Sequence, residues 1–588
     1  MGRQQHLATT SDEPSFKKRC CQSWSLHRGS PYSPQAARHA MLLSRALIPL
    51  ALAFLTAGAS IESRASAPKV TLDSGVFTGK VGSSNTQSFL GIPFAQPPVG
   101  QLRFQLPQPI PAYNGTHTVT SFGPGCPQQA FKLPIVDGLP QEVLDYITNT
   151  AYGIIFPSDE DCLTINVIKP NTATSSSKLP VVAWIFGGGF ELGSPAMYDG
   201  TAIVERSISM GEPVVYVSMN YRVSAFGFLA SKEVRAAGIG NLGLQDQRQA
   251  LRWIQKYIGA FGGDPTKVTI WGESAGAISV ALQMIANNGN NEGLFRAGFM
   301  ESGSPIPTGP LESGQKYYDA IVKQVGCSSA ADTLACLRTV PYATLKAAQD
   351  ASPGIFAYQS LALAWLPRED GVFLTDNPQR LVQQGKVANV PFVTGDCDDE
   401  GTLFSLSTLN ITTDSQFINW VHSNWVPQAT TAQANTFSSL YPSSLSDGSP
   451  FDTSILNGLT SQFKRIAAFQ GDGVFQAPRR FFQQSQSGKQ KQWGFLSKRL
   501  KAVPFLGSFH ASDILNVYFD GELTDYLINF ATSLNPNGQT VPNWPAYTTA
   551  TPNLMTFLDG LFPTTITQDT YRADAMAFLT NMTLQFPL

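Results

Sequence analysis

The sequence predicts an α/β fold: a large, mostly parallel central sheet with helices on both faces. Three observations point there. Short apolar, β-rich runs alternate with helical patterns along the chain; residues 242–258, LGLQDQRQALRWIQKYI, carry apolar positions at helical spacing just before one such run; and that run ends on a serine held between two glycines. The runs are LPVVAWIF (179–186), PVVYVSMNY (213–221), KVTIWG (267–272) and VPFVTG (390–395). Each is apolar on both faces, as central strands of a doubly covered sheet require.

At 588 residues, the chain is long enough for three or four domains or for one large fold with insertions. No internal repeat or long low-complexity linker divides it. Charged residues make up 14% and apolar ones 43%, against roughly 25% charged in ordinary soluble domains. Much of the surface must therefore be Ser, Thr, Asn, Gln and Gly, as on a secreted protein. A net charge of -2 with dispersed basic residues gives no electrostatic reason to expect a nucleic-acid partner.

From Met41 the chain reads MLLSRALIPLALAFLTAGASIESRASA: a basic residue, an apolar stretch and then small residues. This is the pattern of a signal peptide over 41–67, too short to span a membrane as a stable helix. Residues 1–40, polar and basic, are expected to be an unstructured leader, with Met41 as the true start. Five cysteines follow: Cys126, Cys162, Cys327, Cys336 and Cys397. An odd count leaves at least one free thiol; Cys327 and Cys336 are near neighbours expected to pair, while Cys126 and Cys162 would close a longer loop. Sequons at Asn114, Asn410 and Asn581 fit an N-glycosylated exported protein.

In VTIWGESAG (268–276), Gly272 and Gly276 flank Ser274. A strand that flips directly into a helix leaves the serine strained and projecting, with no room for larger neighbours. Its hydroxyl needs a base, and histidine titrates near working pH. After the leader there are three: His117 in a loop-like NGTHTV, His422 within a helical FINWVHSNWV, and His510 in a loop after VPFLGSF. His510 is the best placed. A carboxylate must orient the imidazole, and VPFVTGDCDDEGTLF offers Asp396, Asp398, Asp399 and Glu400 beyond a strand end; spacing does not choose among them. The order serine, acid, histidine is that of an α/β hydrolase. Gly187, Gly188 and Gly189, straight after another strand, can present backbone N–H groups to a developing oxyanion.

FGGDPTKVTIWGESAG (261–276), EDCLTINV (160–167) and FLGIPFAQPPVGQLRF (89–104), with the GGGF loop, NYRV, DEGTLF and FLGSFH, resemble the type-B carboxylesterase and lipase family. The likeness runs from about residue 68 to the end and is strongest to the secreted fungal lipases and sterol esterases, the Candida rugosa lipase kind. The resemblance implies one catalytic domain over 68–588 on the α/β-hydrolase fold. It makes Ser274 the nucleophile, His510 the base and Glu400 the acid, with oxyanion donors at Gly188, Gly189 and Ala275. It pairs Cys126 with Cys162 and Cys327 with Cys336 and leaves Cys397 unpaired without implying a role for it; a small buried filler is the expected part for that thiol. No metal or organic cofactor is implied.

The Cys126–Cys162 loop corresponds in similar lipases to a lid that opens at a lipid–water interface. Pro140 can start a helix with Val143, Leu144, Ile147 and Ala151 on one face. The loop holds no tryptophan, unlike the choline-binding loop of cholinesterases. Long-chain lipid esters, triacylglycerols or steryl esters, are therefore the expected substrates, with Phe356, Leu361, Leu363, Trp365 and Leu366 as candidate lining of an acyl tunnel. A short-chain carboxylesterase is the alternative, and a non-catalytic neuroligin-like binding protein a weaker one.

Overall fold

The computed structural model describes residues 67–83, 85–130, 157–519 and 521–588. The expected leader, the expected signal segment except Ala67, and the expected lid helix from Pro140 lie outside those residues.

Two sheets form. The smaller joins β1 (Lys69–Leu72), β2 (Gly75–Thr78) and β5 (Thr116–Thr118). The larger has 11 strands. They are β3 (Lys80–Val81), β4 (Thr86–Pro93), β6 (Thr164–Pro170), β7 (Leu179–Ile185), β8 (Val215–Met219) and β9 (Gly263–Glu273), followed by β10 (Ala297–Glu301), β11 (Phe392–Cys397), β12 (Gln492–Ser497), β13 (Asn553–Phe557) and β14 (Thr564–Gln568). Their spatial order is β14-β13-β12-β11-β10-β9-β7-β8-β6-β4-β3. From β8 through to β13 every pairing is parallel, while β3–β4, β4–β6, β6–β8 and β13–β14 are antiparallel. The expected strands all form. Every residue of β8, β10 and β11 is buried, because helices cover both faces.

The predicted helix runs over Leu242–Tyr257 and continues into a short 3-10 turn at Ile258–Phe261. Its Asp246 accepts two guanidinium hydrogen bonds from buried Arg222, so an acid on the inward face is neutralised where it lies. The strand after it begins four residues earlier than the apolar run suggests, since Gly263 pairs with Leu179 ahead of a register shift. The described residues form a single compact unit. Disulfides join Cys126 to Cys162 and Cys327 to Cys336, and Cys397 is a buried free thiol. Among the described residues no helix is long and apolar enough to cross a membrane.

Candidate active site

β9 ends at Glu273 and the helix Ala275–Gly289 begins two residues later, so Ser274 makes the whole corner. Its backbone pays with φ 58° and ψ -127°, outside the regions a serine favours. The glycine spacing has a steric cause. A Cβ on Gly272 would lie 2.6 Å from the Gly276 carbonyl oxygen and 2.7 Å from that of Ile185, and one on Gly276 would run into the Ile185 carbonyl. Gly187, at the end of β7, is pressed against the same corner, where a Cβ would sit 2.8 Å from that of Ser274. Gly188 and Gly189 follow at φ 98° and 64°, which turns the chain sharply beside the serine. Gly189, Ser274 and Ala275 line one cavity.

His510 Nε2 stands 2.7 Å from Ser274 Oγ, and His510 Nδ1 2.6 Å from Glu400 Oε2. With Nδ1–H donating to the carboxylate, Nε2 is left to accept from the serine hydroxyl. The other Glu400 oxygen accepts the Cys397 N–H at 2.6 Å. The rings of Phe475 and Phe404 flank the imidazole with centroids 4.6 and 5.1 Å away. Burial is the main cause of the pKa shifts here. It pushes the Glu400 carboxyl up to about 8, opposed by hydrogen bonds from Ser302 and the Cys397 N–H. It lowers the His510 imidazole to about 4, opposed by the charges of Asp513 and Asp396.

The four acids that spacing left open are separated by their partners. Asp396 pairs with Arg479 at 2.8 Å. Asp398 and Asp399 both take Lys501, at 2.5 and 2.6 Å, and Asp399 also accepts the N–H groups of Phe451 and Ser508. Glu400 alone of the four bonds to His510. Of the other histidines, His117 is not in a loop as expected: it lies half-buried in β5, stacked on Phe77 at 4.5 Å, because β2 recruits that segment as a third strand. His422 sits in the helix Asp414–Asn424 with Nε2 2.9 Å from the Ala429 carbonyl.

Two further acids adjoin the site that sequence reasoning missed. Glu273, one residue before Ser274, places Oε1 3.4 Å from His510 Nε2. Asp513, three residues after His510, accepts the Ser302 hydroxyl at 3.4 Å. Their proximity in sequence to Ser274 and His510 was the only available signal.

The cavity beside Ser274 is apolar and narrow, about 30 Å³. Leu361, Leu363 and Leu366 line it as expected, together with Ile355 and Phe475. Trp365 is instead buried with its indole N–H on Ser352 Oγ, and Phe356 lines a separate cavity.

A strand–serine–helix corner on a largely parallel sheet, met by a histidine and a carboxylate from beyond later strands, defines an α/β-hydrolase enzyme. The chain belongs to the carboxylesterase family, whose description matches residues 66–579. It is similar to Lipase 2 of Diutina rugosa, 43% identical over 544 residues that cover 90% of this chain and 98% of the relative. It is 40% identical to the Secreted triacylglycerol lipase LIP1 of Gibberella zeae over 544 residues, 89% of this chain and 92% of the relative. Among solved structures, Aspergillus niger EstA superposes with a TM-score of 0.75 at 29% identity, covering 89% of this chain and 99% of EstA. The protein is a carboxylic ester hydrolase.

Proposed function

We propose that the protein is a secreted lipase that hydrolyses long-chain lipid esters, triacylglycerols foremost and steryl esters as a second class, through an acyl-enzyme on Ser274. The observation that carries this reading is the buried Ser274–His510–Glu400 hydrogen-bond chain, which opens on a cavity walled by leucine, isoleucine and phenylalanine. His510 Nε2 takes the proton of Ser274 Oγ as that oxygen attacks the ester carbonyl. Glu400 steadies the imidazolium, and the N–H groups of Gly188, Gly189 and Ala275 receive the oxyanion. The imidazolium then protonates the departing alcohol, and water repeats the sequence on the acyl-enzyme. Because the cavity holds about 30 Å³, an acyl chain enters only when its walls move apart.

Export through the 41–67 segment is supported by a relative named as secreted and by exposed Asn114, Asn410 and Asn581, all open to glycosylation. A short-chain carboxylesterase is the second reading, favoured by the small cavity. Fatty-acid release from emulsified triolein, measured beside hydrolysis of p-nitrophenyl butyrate, separates the two. The lipase reading expects release that climbs once triolein exceeds its solubility and that Ser274→Ala eliminates; activity on the soluble ester alone would make the protein a carboxylesterase.

A further inference from the structure

The larger sheet has two outer edges, and they are built differently. At one end β3 is two residues long and carries Lys80, a short and charged edge that resists pairing with another strand. At the other end β14 runs over five residues, Thr564–Gln568, in unbroken register against β13. Its sequence, TTITQ, holds no charge and no proline, and no bulge twists it away. Nothing in it discourages a further strand.

The backbone groups of β14 sort by alternation. On either side of it the Leu558 N–H bonds the Pro563 carbonyl and the Asp569 N–H bonds the Pro552 carbonyl, each at 2.8 Å. Thr565 and Thr567 therefore address β13, while Thr564, Ile566 and Gln568 aim their N–H and C=O groups away from the sheet. The Gln568 carbonyl takes the Thr570 N–H at 2.9 Å and keeps a second lone pair. Among the described residues the outward groups of Thr564 and Ile566 meet no protein partner. The turn that leads into the strand carries Leu561 and Phe562, 94% and 84% exposed, the largest exposures of any bulky apolar side chain among the described residues.

This pattern is complementary to itself. A twofold axis through Ile566 sets Ile566 against its own copy and Thr564 against Gln568, so every outward residue meets an outward residue and about six hydrogen bonds close. No like charges face each other, since the strand has none. Five residues of edge are little for a stable dimer. The same axis directs the Leu561–Phe562 tip of each copy toward the Asp569–Thr570 turn of the other, which adds the apolar anchors that such an interface needs. We propose that two copies of the chain join antiparallel along β14 into one continuous sheet. The axis stands perpendicular to that sheet, so the parallel strands of the two copies run in opposite directions and the two Ser274 corners lie on opposite edges. The pairing is thus independent of which ester the enzyme takes.

Sedimentation equilibrium of the purified protein from about 1 to 100 µM, the range in which so small an interface should dissociate, tests the proposal. A mass rising from one copy to two is expected. Ile566→Pro removes an N–H that faces away from the sheet and no bond to β13, and it should weaken association at least about tenfold. Phe562→Ser should weaken it by a similar factor from outside the strand, and it carries the test if the proline variant fails to fold. Hydrolysis of p-nitrophenyl butyrate per Ser274 should stay within about twofold in both variants, which shows that they are folded. A single-copy mass up to 100 µM, or a dimer that neither variant weakens, overturns the pairing. A single copy that adsorbs to a triolein emulsion, with adsorption lost in Phe562→Ser, also overturns it and gives the tip to lipid instead.

Discussion

Asp569 and Glu273 are both buried carboxylates, 4% and 2% exposed, yet their surroundings are opposite. Asp569 is held by Arg479 at 2.9 Å and Arg480 at 2.6 Å, with Tyr547 adding a hydrogen bond. Its carboxyl stays well below the ordinary range: burial raises it, but the two guanidinium groups outweigh burial. Glu273 faces His510, and Asp513, Glu400 and Glu301 lie near enough to repel its charge. Burial first, and those acids second, push it far up. Glu301, bonded at 2.5 Å to the Trp271 indole, is raised in the same way. Among the described residues, none of Glu273, Glu301 and Asp513 pairs with a lysine or arginine. A fold that only needed stability would supply cations to both groups. The acids behind Ser274 have no such cation and stand beside the imidazole that the proposed mechanism charges, the arrangement expected of buried groups that serve chemistry instead of cohesion.

The sharpest break between the two groups should come from charge removal on each side. Glu400→Gln keeps the shape but offers His510 Nδ1 the wrong partner, so kcat on a soluble ester should fall by about 10⁴-fold with the thermal midpoint little changed. A loss under tenfold would remove Glu400 from its role and reopen the choice among its neighbours. Asp569→Asn should do the reverse. Leaving Arg480 without a carboxylate and Arg479 with Asp396 alone should cost about 3 kcal/mol in denaturant unfolding while kcat stays within about twofold. The sign against pH follows from the low folded value. Asp569 contributes stability above the unfolded carboxyl range and loses it as pH falls through its own pKa. The gap between wild type and Asp569→Asn should therefore close in acid, and a gap independent of pH would make the network a matter of shape rather than charge.

How far these features could be read from sequence depends on how local their causes are. The central strands were legible because burial on both faces leaves an uninterrupted apolar run, and Ser274 because its two glycines stand beside it in the sequence, although the Ile185 carbonyl on distant β7 is what bars a side chain at Gly276. The three-stranded sheet was not: β1, β2 and β5 are three or four residues long, and the partner of β2 arrives from Thr116–Thr118. Nor did spacing select Glu400. The residues that occupy its rivals, Arg479 for Asp396 and Lys501 for Asp399, lie 83 and 102 positions away in the chain.

The activity profile sharpens the comparison on the catalytic side. His510 must be neutral to accept the serine proton, so kcat/KM should fall with a one-proton slope as acid charges it, about tenfold per pH unit beyond the midpoint. Burial places that midpoint below the ordinary 6.5, toward about 4, with Asp513 and Asp396 pulling the other way. A midpoint above 6.5 would show that the uncompensated acids outweigh burial at the imidazole.

The smallest effect belongs to Glu273→Gln. A carboxyl whose folded pKa lies far above its unfolded value binds its proton more tightly in the native state. Its contribution is therefore complete below the unfolded carboxyl range and drains away as pH rises toward the folded value. Glutamine keeps the volume and never ionises, so it should be neutral toward stability near pH 4 and increasingly favourable as pH rises above the ordinary carboxyl range. Activity should change less than about twofold near neutral pH, because a carboxyl raised that far is already uncharged there and glutamine keeps a neutral polar group beside Nε2. The opposite trend with pH from Asp569→Asn, measured on the same protein by the same unfolding curves, is what the contrast between starved and paired acids requires. Parallel trends in the two variants would mean that both groups are structural and that Glu273 lies beside His510 without acting on it.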